Sequence, residues 1–135
     1  MLIQPNPIDE YLVLAEGVNS IFDIPVYDQD GNAPDLTLGG PFTGELILRE
    51  KIGDDLVYEL DNANITYIAP STNNGNNVRL SFSGSGVNGT ANMLGSSIRI
   101  GGTVYLLGDL IISDDGDPTY RSRIKIQFDQ STSDF

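Results

Sequence analysis

Between Thr119 and Phe128 the chain alternates strictly. Tyr120, Ser122, Ile124, Ile126 and Phe128 fall on one side, and Thr119, Arg121, Arg123, Lys125 and Gln127 on the other. A two-residue period puts successive side chains on opposite faces of an extended backbone, so this run is a strand with one buried and one solvated face. The same period returns where Phe42, Leu46 and Leu48 alternate with Thr43, Glu45, Ile47 and Arg49. It returns again where Val78, Leu80 and Phe82 alternate with Arg79 and Ser81, and where Phe22, Ile24 and Val26 alternate with Asp23 and Pro25. Pro25 has no N–H to give a ladder, which sends its strand to a sheet edge or a bulge. With further runs at 11–15, 56–60, 65–68 and 104–112, the count reaches about eight short strands, and Asn92 to Gly95, with Met93 and Leu94 before a Gly, is a candidate for one helical turn.

The punctuation agrees with that reading. Asp30-Gly31 and Asp115-Gly116 carry the chemistry of tight turns in which a residue takes positive φ, and Gly53-Asp54-Asp55 reads as a third connection. Residues 71–77 are Asn-rich and residues 83–92 rich in Gly and Ser, and both are expected to be mobile loops within one domain. No repeat of about 20–50 residues appears, which sets aside propellers and solenoids. The expected fold is all-β: a single antiparallel β-sandwich spanning 1–135, with 1–10 as an N-terminal arm and 129–135 as a C-terminal tail.

Composition removes chemistry. The chain of 135 residues has no His and no Cys, so it lacks the commonest general base, the commonest transition-metal ligand, every thiol nucleophile and every disulfide. Its nearest carboxylate neighbours, Asp114 with Asp115 and Asp54 with Asp55, sit at turns, where aspartates cap their own backbone. Asp28-Gln29-Asp30-Gly31-Asn32 departs from a calcium loop: its Gly comes fourth instead of sixth and Gly39 stands where the Glu ligand belongs. Gly84, Gly86 and Gly89 lack the spacing and the following Lys of a phosphate loop. No enzyme and no cofactor is expected.

Charge speaks about partners. Seven Lys and Arg against 19 Asp and Glu give a net charge of -12, which repels phosphate backbones and anionic lipid, so neither nucleic acid nor a membrane is an expected partner. Residues 1–7 hold no basic residue and no long apolar run, unlike a signal peptide or an anchor, and the sequons at Asn64 and Asn88 read as chance matches. Against this acidity, Arg121, Arg123 and Lys125 place three of the seven bases on the outward face of one strand. They serve either cross-strand pairs with carboxylates of their own sheet or a subunit interface that meets acidic turns of another copy. On the interface reading, Arg123→Glu is expected to reduce assembly and leave the monomer folded. Tyr67, Tyr105 and Tyr120 are the available stacking platforms for a carbohydrate or receptor, although a chain without Trp is poorly equipped for that role.

The run Phe22 to Thr37, with its apolar strand, its Asp30-Gly31 turn and its Asp35-Leu36-Thr37, resembles the opening of the small immunoglobulin-like modules of tailed bacteriophages, such as the N-terminal domain of baseplate upper proteins. Tyr105 to Gly116 is similar to that group's penultimate strand, in which Tyr and then Asp-Leu lead into an Asp-Gly turn, and Arg121 to Phe128 to its closing strand. Asn76 to Phe82 resembles the central strand, and Asn88 to Gly95 the short turn before the Tyr strand. The resemblance implies an immunoglobulin-like sandwich and a structural virion protein, an adaptor or attachment module of the tail at baseplate, fibre or neck, with capsid decoration as the alternative. It implies further copies and other phage structural proteins as partners, the virion assembled in the host cytoplasm as location, and no catalytic residue. The baseplate module continues into a helical stem, whereas this chain ends soon after its closing strand, so a stand-alone module is expected.

Overall fold

The last two strands form a long hairpin, β7 (Thr103–Asp114) and β8 (Asp117–Asp129), joined by Asp115 and Gly116 alone. Both turn residues have positive φ, 48° and 88°, the primed geometry whose twist matches that of the flanking strands. Around this hairpin the computed structural model describes residues 8–50, 58–85, 90 and 103–129. The other strands are β1 (Glu10–Ala15), β2 (Ser20–Ile24), β3 (Phe42–Arg49), β4 (Tyr58–Leu60), β5 (Ile65–Tyr67) and β6 (Val78–Phe82).

They form a five-stranded sheet in the order β1-β8-β7-β3-β4 and a three-stranded sheet in the order β2-β6-β5. In an immunoglobulin fold one sheet is built on strands C, F and G and the other on B, E and D. Here β3, β7 and β8 take the first three places and β2, β6 and β5 the others, so the molecule is an immunoglobulin-like sandwich. The inward rows meet in one core that includes Leu14, Leu46, Leu80, Leu106, Ile126 and Phe128, all fully buried. Leu, Ile and Phe side chains occupy the centre of a fold that elsewhere often carries a Trp and a disulfide.

The sandwich is not wholly antiparallel: β1 runs parallel to β8, from Glu10 beside Ile124 to Ala15 beside Asp129. The reason is local. Immediately after β1 the chain crosses to the opposite sheet to begin β2, so β1 needs no hairpin partner and lies along the free edge of β8. The arm boundaries move accordingly. Asp9 donates its N–H to the Arg123 carbonyl at 2.9 Å and Glu10 opens β1, while Asp129 closes β8, so these residues belong to the sheet. Residues 1–7 and 130–135, the Gly53-Asp54-Asp55 connection and the helical turn expected at 92–95 lie outside the described residues. Pairing also carries β7 and β8 past the apolar run, through a register shift after Ile112 that accommodates Pro118 opposite Ser113.

Pro25 directly follows the edge strand β2, and there the chain leaves one sheet for the other. The Pro25 carbonyl accepts a short hydrogen bond from the buried Ser122 hydroxyl of β8, and two residues on Tyr27 forms a backbone bridge with Arg121. Between these points the backbone of Val26 is satisfied by a side chain. The Asn77 Oδ1 accepts the Val26 N–H at 2.8 Å, and its Nδ2 donates to the carbonyls of Val26 at 3.1 Å and Pro34 at 2.9 Å. The Asn77 main chain bonds Ile24 and Ile68 as well. The Asn-rich segment is therefore a folded connection rather than a mobile loop: it holds a 3-10 turn at Pro70–Thr72, a reversal with Asn74 and Gly75 at positive φ, and then this fully buried amide. In the Gly/Ser-rich segment, the Gly84 N–H donates to Asn19 Oδ1 at 2.6 Å, and a Cβ at Gly84 would stand 2.3 Å from the Gly17 carbonyl oxygen. The buried Thr90 accepts the Gly17 N–H at 3.0 Å, so described parts of that segment are tied to the β1–β2 crossing as well.

An unsatisfied buried polar group costs about 1–3 kcal/mol, and Asn77 satisfies several. Asn77→Ala is expected to lower unfolding free energy by about 3 kcal/mol or more in urea denaturation. A loss below about 1 kcal/mol would show that the crossover holds without it.

Candidate functional site

The outward face of the five-stranded sheet collects the residues singled out by alternation. Arg123 stands directly opposite Asp109 on β7 and meets it with both prongs, Nε to Oδ1 at 3.0 Å and a terminal guanidinium nitrogen to Oδ2 at 3.3 Å. Its main-chain N–H also donates to Asp9 Oδ2 at 2.7 Å. The hydrogen bond to Asp109 raises the Arg123 pKa, with Asp9 adding to it, against the opposing effect of desolvation. Lys125 lies over the Tyr105 ring with Nζ 5.0 Å from its centroid, a cation–π contact. For these two residues the stripe is largely engaged within its own sheet. Arg123→Glu would set a third carboxylate between Asp109 and Asp9, so it would strain the monomer it was expected to spare. Arg121 differs: it is exposed and has no side-chain ion pair among the described residues.

Next to the bases lies an apolar surface that the pattern of β1 announces only when its outward residues are read too. Tyr11, Val13 and Tyr105 are exposed by 50%, 49% and 49%. Tyr11 and Val13 flank Lys125 and Gln127 on one side of β8, and Leu107 and Tyr105 flank them on the other. A polar chain fixes their positions. The Tyr11 hydroxyl donates to Gln127 Oε1 at 2.8 Å, Gln127 Nε2 donates to Asp129 Oδ1 at 3.1 Å, and the Thr103 hydroxyl donates to the same oxygen at 3.1 Å. Partial desolvation, then neighbouring Tyr105 and Asp129, push the Tyr11 phenol above its ordinary pKa.

At one end of this face a groove of about 620 Å³ opens between the turn after Tyr27 and the β7–β8 hairpin, lined by Asp9, Tyr27, Gln29, Tyr120 and Arg121 among others. Its wall is built by the Tyr27–Arg121 bridge, with N–H to carbonyl distances of 3.0 and 2.9 Å. Asp28 Oδ1 accepts the N–H groups of Asp30 and Asn32, both at 2.9 Å, so this carboxylate organises a turn in the segment that superficially matched a calcium loop. Burial, followed by Glu10 and Asp9, raises the Tyr27 phenol pKa.

The three tyrosines considered as stacking platforms are separated by the fold. Tyr67 and Tyr120 pack edge-to-face on Phe42, at centroid distances of 5.4 and 6.0 Å, and so spend their faces on the core margin. Tyr105 alone is exposed, with Lys125 over its ring. Asp114 ends β7 and Asp115 occupies the left-handed turn position at the hairpin tip, while the Asp54 and Asp55 pair lies outside the described residues. Among the described residues no group of three or more carboxylates is placed to hold a metal, and no helix is long and apolar enough to cross a membrane. No known protein-family profile, no curated protein sequence and no solved structure matches the chain.

On the other sheet, Asp23 and Arg79 face each other across β2 and β6 and form a two-pronged pair at 2.7 and 3.0 Å. The hydrogen bond from Arg79 holds the Asp23 pKa below its ordinary 3.8. A carboxylate whose folded pKa is depressed contributes stability above its unfolded value and loses it as pH falls through the folded one. Asp23→Asn is therefore expected to lower stability by about 0.5–1 kcal/mol at neutral pH, with the difference shrinking as pH falls below the ordinary value and gone once pH has passed the depressed folded one. Melting curves across pH check this; a difference that persists at the acid end would remove the charge pair as its cause. The Tyr67 hydroxyl is buried and has no hydrogen-bond partner among the described residues, and burial raises its pKa. Tyr67→Phe is expected to be neutral or stabilising by up to about 1 kcal/mol in denaturant titration, and a clear loss would reveal a partner for the hydroxyl.

Proposed function

We propose that this protein is a structural component of a tailed-bacteriophage virion, a non-enzymatic module of the tail at baseplate, fibre or neck that docks on other subunits through the outward face of its five-stranded sheet. The observation that carries this reading is the face itself. Tyr11, Val13 and Tyr105 stand half exposed there while Arg123, Lys125 and Gln127 are already engaged by neighbours on the same sheet. Such a surface offers apolar and aromatic area whose polar groups carry little further desolvation cost, and whose side chains are ordered before a partner arrives. The resemblance of Phe22–Thr37 and Tyr105–Gly116 to phage immunoglobulin-like modules supplies the virion context.

A second reading, a receptor- or carbohydrate-binding module, is favoured by the groove, which is lined by a phenol, an amide, a carboxylate and the Arg121 guanidinium, the last without an ion pair among the described residues. Immunogold electron microscopy of intact particles with an antibody to the chain tests both. Label at the tail is the expected result, and label over the head would replace tail attachment by capsid decoration. Particles without label, beside labelled host cells, would overturn the virion reading in favour of the second.

A further inference from the structure

We propose that the free edge of β1 accepts an added β-strand, an extended segment of another chain that pairs antiparallel with Tyr11–Ala15 and carries apolar residues at alternate positions followed by a Lys or Arg. The proposal rests on the reading of this sheet as a docking surface and names the form of its partner. The main chain is the first ground. Ala15 stands beside Asp129 in the register, and the Glu16 N–H donates to the Asp129 carbonyl at 2.9 Å. In a parallel ladder bonding residues alternate, so Leu12 and Leu14 turn their N–H and C=O groups to β8 as Glu16 does. The odd-numbered residues of β8 face this edge, as the Arg121 and Arg123 carbonyls show by accepting the Tyr27 and Asp9 N–H groups. Asp9 lies ahead of β1 and outside its phase. Tyr11 and Val13 therefore direct both main-chain groups away from the sheet, where nothing among the described residues meets them. Ala15 does the same with its N–H alone, since its carbonyl accepts the Val18 N–H at 3.2 Å.

The other edges are blunted. The edge strands are β1 and β4 of the larger sheet and β2 and β5 of the smaller. β4 and β5 have three residues each, and β2 carries the charged Asp23 and is stopped by Pro25. Short strands, charges and prolines are the devices that keep sheet edges from pairing. β1 has six residues, and from Tyr11 to Ala15 it holds neither a charge nor a proline. An antiparallel partner exchanges both main-chain hydrogen bonds with Tyr11 and both with Val13. Its residues opposite those two fall on the outward face, beside a half-exposed ring and a half-exposed isopropyl group, which is why they are apolar.

Charge sets the rest of the partner's chemistry. Asp9 and Glu10 stand at one end of β1, Glu16 and Asp129 at the other. Of the neighbouring bases, Arg123 is held by Asp109 and Lys125 by the Tyr105 ring. Glu10 has no ion pair among the described residues, and burial and then Asp9 raise its pKa. The partner residue opposite Glu10 follows the one opposite Tyr11 and points to the same side as Glu10, so a Lys or Arg there supplies the missing cation. A second copy of this chain would bring the same carboxylates to the seam, which makes a different chain the occupant.

Amide hydrogen exchange of the full chain, followed by NMR, tests this. In the free protein the Tyr11 and Val13 amides should exchange fast and those of Leu12 and Leu14 slowly. The probe is the capped peptide Thr-Val-Thr-Val-Lys-Thr at millimolar concentration. It should slow exchange at Tyr11 and Val13, and the same peptide with Glu in place of Lys should bind at least about threefold more weakly. Glu10→Lys should reverse that preference. Val13→Pro removes an edge donor and leaves the β8 ladder intact, so it should abolish binding with the melting temperature close to wild type. If either variant fails to fold, the exchange pattern and the two peptides, all measured on the unaltered protein, decide alone. Tyr11 and Val13 amides already as protected as Leu12, no slowing by the peptide, slowing only elsewhere on the sheet, or equal binding of the two peptides would overturn the proposal. So would protection at Tyr11 and Val13 that grows with protein concentration in the absence of peptide, the mark of a second copy. Particle labelling needs neither the peptide nor this edge, so failure here and failure of the virion reading are told apart.

Discussion

The side-chain amide of Asn77 is the interaction on which the sandwich most depends. A chain that passes from one sheet to the other must expose backbone groups to the core, where water cannot serve them. Here Pro25 ends β2 and removes one donor, the Ser122 hydroxyl takes the Pro25 carbonyl, and Asn77 completes Val26 as a neighbouring strand would. Because Asn77 also bonds Ile24, Ile68 and Pro34, one buried residue joins the end of β2, the approach to β6 and the link toward β3. The placement of Tyr27 on the edge of β8, and the groove that results, follow from this fastening.

The same economy appears in the charges. In a strongly acidic chain the strands put Arg79 beside Asp23 and Arg123 beside Asp109, each pair fixed by cross-strand register. Partly exposed pairs of this kind add little stability, so their larger effect is to hold side chains in place and neutralise local field. On the five-stranded sheet that leaves a face with aromatic and aliphatic area between settled charges, and one row, Arg121–Ile111–Glu45, whose end charges have no ion pair among the described residues.

Much of the fold was legible along the chain. The alternation from Tyr120 to Phe128 and in Phe42–Leu48 and Val78–Phe82 predicts the buried rows, because a half-buried strand leaves a two-residue signature. The Asp115-Gly116 hairpin was equally plain, since few residues accept two consecutive positive φ angles. The candidate site was legible only in part: Arg121, Arg123 and Lys125 share the expected face, but nothing local separated Arg121, which has no ion pair among the described residues, from the engaged Arg123. Tyr11 and Val13 went unread because apolar residues on both sides of a short strand blur the pattern. Asn77 lay in a stretch whose composition suggests solvent.

The sequence by itself determined strand character, inward residues, tight turns and the absence of histidine and thiol chemistry, because these depend on single side chains and on neighbours one or two positions away. Tertiary structure alone decided that β1 would lie parallel to β8, that Tyr67 and Tyr120 would pack on Phe42 and that Asn77 would be sealed in the interior. It also decided that Arg121 and Glu45 would flank the same isoleucine. Those relations join residues tens of positions apart, and their free energy comes from excluding water between surfaces that meet only when the two sheets close.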